Sequence, residues 1–187
     1  MKLDLTEHCI SSQTLVSGGM LTVKRDQVRL PNDNITQREY IHHPGAVVVV
    51  PILPNGNIIL EKQFRYPLHQ VFIELPAGKI DAGEDILVTG QRELLEETGY
   101  SASDWVKLGH QHPCIGYSNE VIHMYLAYGL ESGEHQRDDD ESLIIFDASL
   151  ENCLGMIKNG DITDGKTIIA LFMVEKYLTS HQHLQLE

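Results

Sequence analysis

The sequence is poor in cysteine and lacks any apolar run long enough to cross a bilayer. Its 187 residues include three cysteines at unrelated positions, Cys9, Cys114 and Cys153. An odd and sparse set of this kind is not a disulfide framework, so we expect reduced thiols and a cytoplasmic protein. The longest apolar run, 46–52, is too short for a transmembrane helix, and the first residues do not resemble a signal peptide. No membrane association is expected.

Basic residues are scarce as well. Lysine and arginine number 14 against 27 aspartates and glutamates, which gives a formal net charge of −13 at pH 7. A surface this acidic repels nucleic acids and anionic membranes, so neither is an expected partner. An anionic small substrate is repelled too, and it therefore needs local cations, either metal ions or a few well-placed Arg and Lys side chains.

Alternating and helical hydrophobic periodicities both occur along the chain. The β-branched run Ala46–Val50 predicts a strand buried on both faces, and the pattern from Asp85 to Thr98 predicts a helix. Ser149 and Asp164 are expected to cap two further helices, which run to about residues 158 and 178. Further strands are expected at 20–24, 27–30, 35–41, 58–63, 71–75, 105–110, 121–128 and 143–146. The pattern predicts an α/β fold, a layered sandwich with a mixed sheet.

The predicted helix at Asp85–Thr98 crowds acidic side chains together. Glu93, Glu96 and Glu97 are three and four positions apart, so their carboxylates share one face. Like charges at this spacing destabilise a helix by about 0.2–0.5 kcal/mol per pair, and Arg92 offers the nearest relief. A cluster of hard oxygen ligands is what Mg²⁺ or Mn²⁺ prefers. The alternative is a solvated acidic helix face, which is what most charge runs are.

The spacing favours the metal site. Gly78 is followed after five residues by Glu84 and after seven more by the segment Arg92–Tyr100. This stretch resembles the Nudix box, G-x5-E-x7-R-E-U-x-E-E-x-G-U, at every fixed residue, with Tyr100 where the pattern asks for an aliphatic side chain. The resemblance implies that Glu84 shapes the loop and the metal site. Thr89-Gly90 departs from the small alanines that family members often carry, which concerns helix packing rather than chemistry.

Segments outside the box resemble ADP-ribose pyrophosphatases and related nucleoside diphosphate sugar hydrolases of the Nudix family. These segments are His43–Gly45, Gln63–Tyr66, Glu74–Gly78 and Asp164–Thr167. The resemblance implies a Nudix α/β/α sandwich at residues 43–187. It also implies an N-terminal strand arm, residues 1–42, at the interface of a homodimer. The implied reaction is Mg²⁺- or Mn²⁺-dependent hydrolysis of a nucleotide sugar, with ADP-ribose giving AMP and ribose 5-phosphate.

The resemblance also implies roles for the residues of the acidic helix and its surroundings. Glu93 and Glu97 would be the principal metal ligands, together with the carbonyl of Ala77. Glu96 would bind metal or orient a metal-bound water, and Arg92 would hold the glutamates in place.

Residues outside the box are expected to bind substrate or supply the base. Arg65 would contact the diphosphate. Glu141, in the acidic loop before the last predicted strand, would be the catalytic base, with Asp140 as the alternative. Tyr117 could stack on a nucleotide base or pack in the core, and Glu120 could be an extra ligand or a strand-end residue.

Three functions stay open on the sequence. The loop 113–120 resembles the Pro-Gly element that favours ADP-ribose, but it is altered. Enzymes of the same fold that favour GDP-mannose carry a similar loop, so GDP-mannose or a nucleoside triphosphate is the second possibility. The third is a Nudix-like sensor that binds a nucleotide without cleaving it. Such modules usually lose the box glutamates, and this chain keeps them.

Overall fold

The computed structural model describes residues 4–133 and 142–181, and within these ranges the chain forms ten strands and three α-helices. The strands are β1 (His8–Ser17), β2 (Thr22–Arg29), β3 (Ile35–His42), β4 (Ala46–Pro51), β5 (Asn57–Arg65), β6 (Gln70–Glu74), β7 (Ala77–Lys79), β8 (Tyr100–Gln111), β9 (Ile122–Ser132) and β10 (Leu143–Ser149). The helices are α1 (Ile86–Thr98), α2 (Leu150–Asn159) and α3 (Gly165–Ser180). None of the described helices is long and apolar enough to span a bilayer.

The chain divides into two compact units. The smaller consists of Met1–Pro44 and His112–Glu120, and the larger of Gly45–Gln111 and Val121–Glu187. In the smaller unit, β1, β2 and β3 form an antiparallel sheet in sequence order. Its loop 112–120 is fastened to β3, because the Ile41 amide donates to the Tyr117 carbonyl at 2.8 Å. The predicted N-terminal arm therefore shares its unit with a distant loop.

The larger unit holds two sheets. In the four-stranded sheet the order is β7-β4-β9-β8, and β4 runs parallel to β9 but antiparallel to β7. The three-stranded sheet, in the order β10-β5-β6, is antiparallel throughout. Parallel and antiparallel pairs thus occur side by side, which confirms the predicted α/β fold with a mixed sheet.

Strand β4 lies at the centre of the hydrophobic core, and all six of its residues are buried. Val47 and Val49 pack in one cluster with Leu94 of α1. On the other face, Val48 and Val50 pack in a second cluster, to which α3 contributes Leu171. The four-stranded sheet therefore has α1 on one face and α3 on the other. This confirms the predicted burial of β4 on both faces.

Helix α1 is fixed at its start and pressed against the sheet at its middle. The Asp85 side chain accepts hydrogen bonds from the amides of Leu87 and Val88, as expected of an N-cap. A Cβ atom at Gly90 would lie 3.1 Å from Cγ1 of Val47 and 3.5 Å from Cγ2 of Val49. Glycine at this position therefore allows the helix backbone to approach the valine strand closely, which accounts for a residue that is otherwise unfavourable in a helix.

Several element boundaries differ from the prediction. The segments expected at 20–24 and 27–30 are one strand, β2, because it pairs along its length with β1 on one edge and β3 on the other. Strand β8 begins at Tyr100, directly after α1, rather than near residue 105. No strand was expected at Ala77–Lys79, where the preceding strand was predicted to have ended. In the structure these residues form β7, which pairs with β4 immediately after Pro76.

Candidate active site

The guanidinium of Arg92 is the hub of the acidic helix. Its Nη1 donates to Oε1 of Glu93 at 2.8 Å and to Oε2 of Glu96 at 2.9 Å. Its Nε and Nη2 donate to the two carboxylate oxygens of Glu84 at 2.9 and 3.0 Å. One guanidinium thus bonds to three carboxylates of the box, two of them on the helix whose glutamates Arg92 is predicted to hold in place.

Glu84 links the glycine-containing loop to α1. Besides Arg92, its carboxylate accepts from the Thr89 hydroxyl at 2.7 Å and from the Asp81 amide at 3.2 Å. The hydrogen bonds from Arg92 and Thr89 lower the pKa of Glu84 to about 2. The hydrogen bonds of Arg92 to Glu84, Glu93 and Glu96 raise its own pKa. Glu84 is therefore ionised near neutral pH, where it fixes the loop and is not suited to accept a proton.

Glu97 ties α1 to strand β7. Its side chain is buried, with 3% of the residue exposed, and its Oε2 accepts a hydrogen bond from the Ala77 amide at 3.0 Å. The backbone of Ala77 is thereby held beside the acidic face of the helix. Both residues were predicted to bind metal, and the structure brings them into contact.

Gly78 provides space for the carboxylate of Glu93. A Cβ atom at Gly78 would lie 1.8 Å from Oε1 of Glu93, a distance that no side chain could occupy. The carboxylate therefore lies directly against the backbone of β7. Because Glu96 follows on the same face and Glu97 bonds to β7, the oxygen donors of the helix gather at one edge of the sheet.

This donor set fits a hard divalent cation, since it consists of carboxylate and carbonyl oxygen. Within residues 4–133 and 142–181, no three His, Cys, Asp or Glu side chains surround a common point as the ligands of one ion. Nη1 of Arg92 lies within hydrogen-bonding distance of both Glu93 and Glu96. A cation that binds there would have to compete with this guanidinium or use the other carboxylate oxygens.

A second charged cluster surrounds Glu74, the last residue of β6, three positions before Ala77 in the sequence. Arg65 donates to both carboxylate oxygens of Glu74, at 2.7 and 2.8 Å, and Lys166 also donates to Glu74. Burial raises the pKa of Glu74, but the hydrogen bonds and charges of Arg65 and Lys166 outweigh it, so the pKa lies below its ordinary value. The Arg65 side chain is held by Glu74 but is 42% exposed, so part of it is open to solvent.

The motif before α3 contributes a contact that the sequence alone did not assign. The Thr167 hydroxyl accepts from the Leu75 amide at 2.9 Å, and Asp164 caps the helix by accepting from the Thr167 amide at 3.0 Å. Both Leu75 and Thr167 are fully buried. The cap at Asp164 was predicted and is confirmed. For Thr167 the only signal in the sequence was the resemblance of Asp164–Thr167 to the Nudix family, which gave this residue no role.

Tyr117 and Glu120 belong to the smaller compact unit. Tyr117 is 58% exposed, which rules out the alternative that it packs in the core, and its hydroxyl lies 3.0 Å from Sγ of Cys114. Glu120 has Oε1 at 3.6 Å from Nδ1 of His43. The predicted base, Glu141, and its alternative, Asp140, lie outside the described residues.

Comparison with known proteins places these residues in a family context. A family model described as NUDIX domain matches residues 42–151. The chain is 36% identical to the ADP-ribose pyrophosphatase of Bacillus subtilis (strain 168) over 183 residues, covering 97% of each chain. It is 38% identical to a methanol dehydrogenase activator of Bacillus methanolicus, over 88% of this chain and 90% of that protein.

Two further similarities agree with these. The chain is 42% identical to the ADP-ribose pyrophosphatase of Mycobacterium tuberculosis, over 74% of this chain and 69% of that protein. A crystal structure of an ADP compounds hydrolase superposes with a TM-score of 0.87 at 22% identity, covering 98% of this chain and all of the other. At that identity the structural match supports the fold alone.

Proposed function

This chain belongs to the Nudix family, and from that premise we propose that it hydrolyses the diphosphate bond of nucleoside diphosphate sugars, with ADP-ribose as the first candidate. The products would be AMP and ribose 5-phosphate. The similarity to ADP-ribose pyrophosphatases supports this substrate class. The observation that carries the proposal is the gathering of the box carboxylates at the edge of β7, where Glu93 lies against Gly78 and Glu97 holds Ala77.

The proposed cofactor is Mg²⁺, with Mn²⁺ as a substitute. Glu93, Glu96 and Glu97 would hold it together with the carbonyl of Ala77. The chemistry that such an ion supplies is neutralisation of the diphosphate charge and acidification of water. A net charge of −13 makes local cations necessary for binding any diphosphate, and this supports the same assignment.

The chain's own side chains would orient the substrate and the water. Arg65, fixed by Glu74 and partly exposed, is suited to donate hydrogen bonds to a diphosphate oxygen. Arg92 would keep the carboxylates in place, because it bonds to Glu93 and Glu96 of α1 and to Glu84 in the loop before the helix. The exposed ring of Tyr117 is proposed to stack on the base, with Glu120 beside the substrate or metal. Glu141 is proposed to take the proton from the attacking water, with Asp140 as the alternative.

A homodimer is proposed as the working form, with the arm at residues 1–42 at its interface and residues 43–187 as the hydrolase domain. All ten residues of β1 are exposed, and β1 is the edge strand of its sheet. Exposed apolar residues on this strand include Ile10, Leu15 and Val16. An edge strand of this kind is a surface for pairing with another chain. Light scattering of the purified protein tests this, and a monomer at micromolar concentration would contradict it.

A panel of diphosphates tests the function. The purified protein is incubated with Mg²⁺ and ADP-ribose, GDP-mannose or a nucleoside triphosphate, and the phosphate monoesters are separated by chromatography. We expect ADP-ribose to be cleaved fastest. Fast cleavage of GDP-mannose with none of ADP-ribose would instead favour the second substrate. Binding of ADP-ribose without any cleavage would favour the nucleotide sensor.

A further inference from the structure

The backbone that links β6 to β7 is fastened at three successive residues. The Leu75 amide donates to the Thr167 hydroxyl at 2.9 Å, the Pro76 carbonyl accepts from the Val49 amide at 2.9 Å, and the Ala77 amide donates to Glu97 at 3.0 Å. The last two contacts come from the central strand and the acidic helix. The first comes from α3, which contributes no residue to the proposed metal site.

The hydroxyl of Thr167 is the middle member of a hydrogen-bond chain that runs from the Leu75 amide to the Asp164 carboxylate. Thr167 is fully buried, and its Oγ1 donates to Oδ2 of Asp164 at 2.6 Å while accepting from Leu75. A hydroxyl has one proton, so donation to the carboxylate leaves its lone pairs for the amide. The same Asp164 oxygen accepts from the Thr167 amide at 3.0 Å, so this hydrogen-bond chain is anchored on the first turn of α3.

Lys166 connects the first turn of α3 to the side chain of Glu74, the residue before Leu75. Its Nζ donates to Oδ2 of Asp164 at 3.0 Å and also to the carboxylate of Glu74. The side chain of Lys166 is 15% exposed, so this bridge is largely shielded from water. The first turn of α3 therefore holds both the side chain of Glu74 and the backbone of Leu75, immediately before the proposed ligand Ala77.

We propose that Thr167, supported by Asp164 and Lys166, is a positioning residue that keeps the Ala77 carbonyl at the acidic face of α1. The proposal rests on the proposed function, in which that carbonyl is a metal ligand. Groups that orient metal ligands influence affinity without touching the ion. Loss of the Thr167 hydroxyl would leave the buried Leu75 amide without its acceptor, and the segment 75–77 would shift.

The test compares three variants in their affinity for Mn²⁺ alone, with unbound ion measured by electron paramagnetic resonance. Thr167→Val removes the hydroxyl at nearly constant shape, whereas Thr167→Ser keeps it. Val174→Ala is the matched control, because Val174 is fully buried in the same helix and contributes to the core. Thermal unfolding of each variant shows how much stability it has lost, and kcat and KM for ADP-ribose are measured at several Mg²⁺ concentrations.

We expect Thr167→Val to raise the Kd for Mn²⁺ by about 10- to 100-fold, the range typical of groups that orient metal ligands. Added Mg²⁺ should restore much of its kcat. Thr167→Ser and Val174→Ala should bind Mn²⁺ close to the wild-type value, although Val174→Ala unfolds at a lower temperature. This outcome would separate positioning from general stability.

Wild-type Mn²⁺ affinity in Thr167→Val, or an equal loss in Val174→Ala, would overturn the positioning role while leaving the hydrolase function intact. If the wild type binds Mn²⁺ but cleaves no diphosphate, the proposed function fails and the Mn²⁺ measurements still decide the role of Thr167. A wild-type protein that binds no Mn²⁺ would overturn both proposals.

Discussion

The two charged clusters of the larger unit differ in how their charges are balanced. Around Arg92, the carboxylates of Glu84, Glu93 and Glu96 share one guanidinium. Around Glu74, Arg65 and Lys166 both bond to one buried carboxylate, and Lys166 also reaches Asp164. The first cluster has more acidic than basic partners in these contacts, whereas the second is balanced.

We propose that this difference separates a metal-binding site from a structural scaffold. A buried carboxylate is tolerated when cations and hydrogen bonds satisfy it, as at Glu74, and such a cluster has little need of a further ion. A cluster with surplus carboxylates lowers its energy when a divalent cation arrives. The acidic cluster should therefore be sensitive in activity, and the balanced cluster should be sensitive in stability.

The largest expected effect is on the activity of Glu97→Gln. The amide oxygen of glutamine can still accept the Ala77 hydrogen bond, so the fold should persist, but a charged metal ligand is lost. We expect kcat for Mg²⁺-dependent hydrolysis to fall by more than about 100-fold, beyond what is typical for groups outside the ligand set. Product chromatography measures the hydrolysis, and circular dichroism measures whether the fold persists. Unchanged activity would refute the metal assignment.

The second effect tests the space at Gly78. An added methyl group in Gly78→Ala would displace the Glu93 carboxylate, whose Oε1 lies 1.8 Å from the ideal Cβ position. We expect kcat/KM at limiting Mg²⁺ to fall by about 10- to 100-fold. The unfolding temperature should change little, because the displaced group is the end of a flexible side chain.

Gly155→Ala in α2 is the matched control for this substitution, because its added methyl group meets nothing within 4 Å. Its activity should equal that of the wild type. If Gly78→Ala is as active as this control, the position of the Glu93 carboxylate against β7 is not required for activity.

The third effect should fall mainly on stability. Glu74→Gln removes the negative charge that Arg65 and Lys166 share. Breaking a buried pair costs about 3–5 kcal/mol, and the partial exposure of Arg65 reduces our expectation to about 2–3 kcal/mol. Urea unfolding measures the loss. The exposed pair of Arg25 and Glu39 provides a control, because Glu39→Gln should cost no more than about 1 kcal/mol. Equal losses in the two variants would show that the Glu74 cluster is not a scaffold.

The smallest effect is on acid stability. The pKa of Glu84 is lowered from 4.5 to about 2 in the folded protein, so the unfolded chain binds its proton first as pH falls. Its contribution to stability is complete above about pH 4.5 and is lost as pH falls towards about 2. In Glu84→Gln the unfolding temperature should therefore depend less steeply on pH in this window. Parallel curves for the variant and the wild type would contradict the assigned ionisation.

Elements with a strong local signal were predictable from the sequence. Helix α1 was expected because its apolar residues recur with helical spacing, and β4 because a run of valines indicates burial on both faces. Strand β1 was not predicted, since its residues are exposed and follow no alternation. Strand β7 was missed because three residues after a proline carry no pattern, and it exists through its pairing with β4.

The candidate site followed the same division. Glu93, Glu96, Glu97 and Arg92 were identified by their spacing on one helix, which is local information. The partnership of Arg65 with Glu74, and of Leu75 with Thr167, depends on chain segments that meet only after folding. Sequence spacing contains no signal for such contacts, so the balanced cluster could not be derived before the structure.

The absent side chain at Gly90 sets one dimension of the molecule, the distance between the backbone of α1 and the valine strand. Since α1 meets Val47 and Val49 without an intervening methyl group, the valine strand acts as a stop for the helix backbone. The height of the helix above that stop determines how far its carboxylates stand from the backbone of β7. Hydrocarbon contact on one side of the helix therefore acts together with the Ala77–Glu97 hydrogen bond on the other to set the spacing at the proposed metal site.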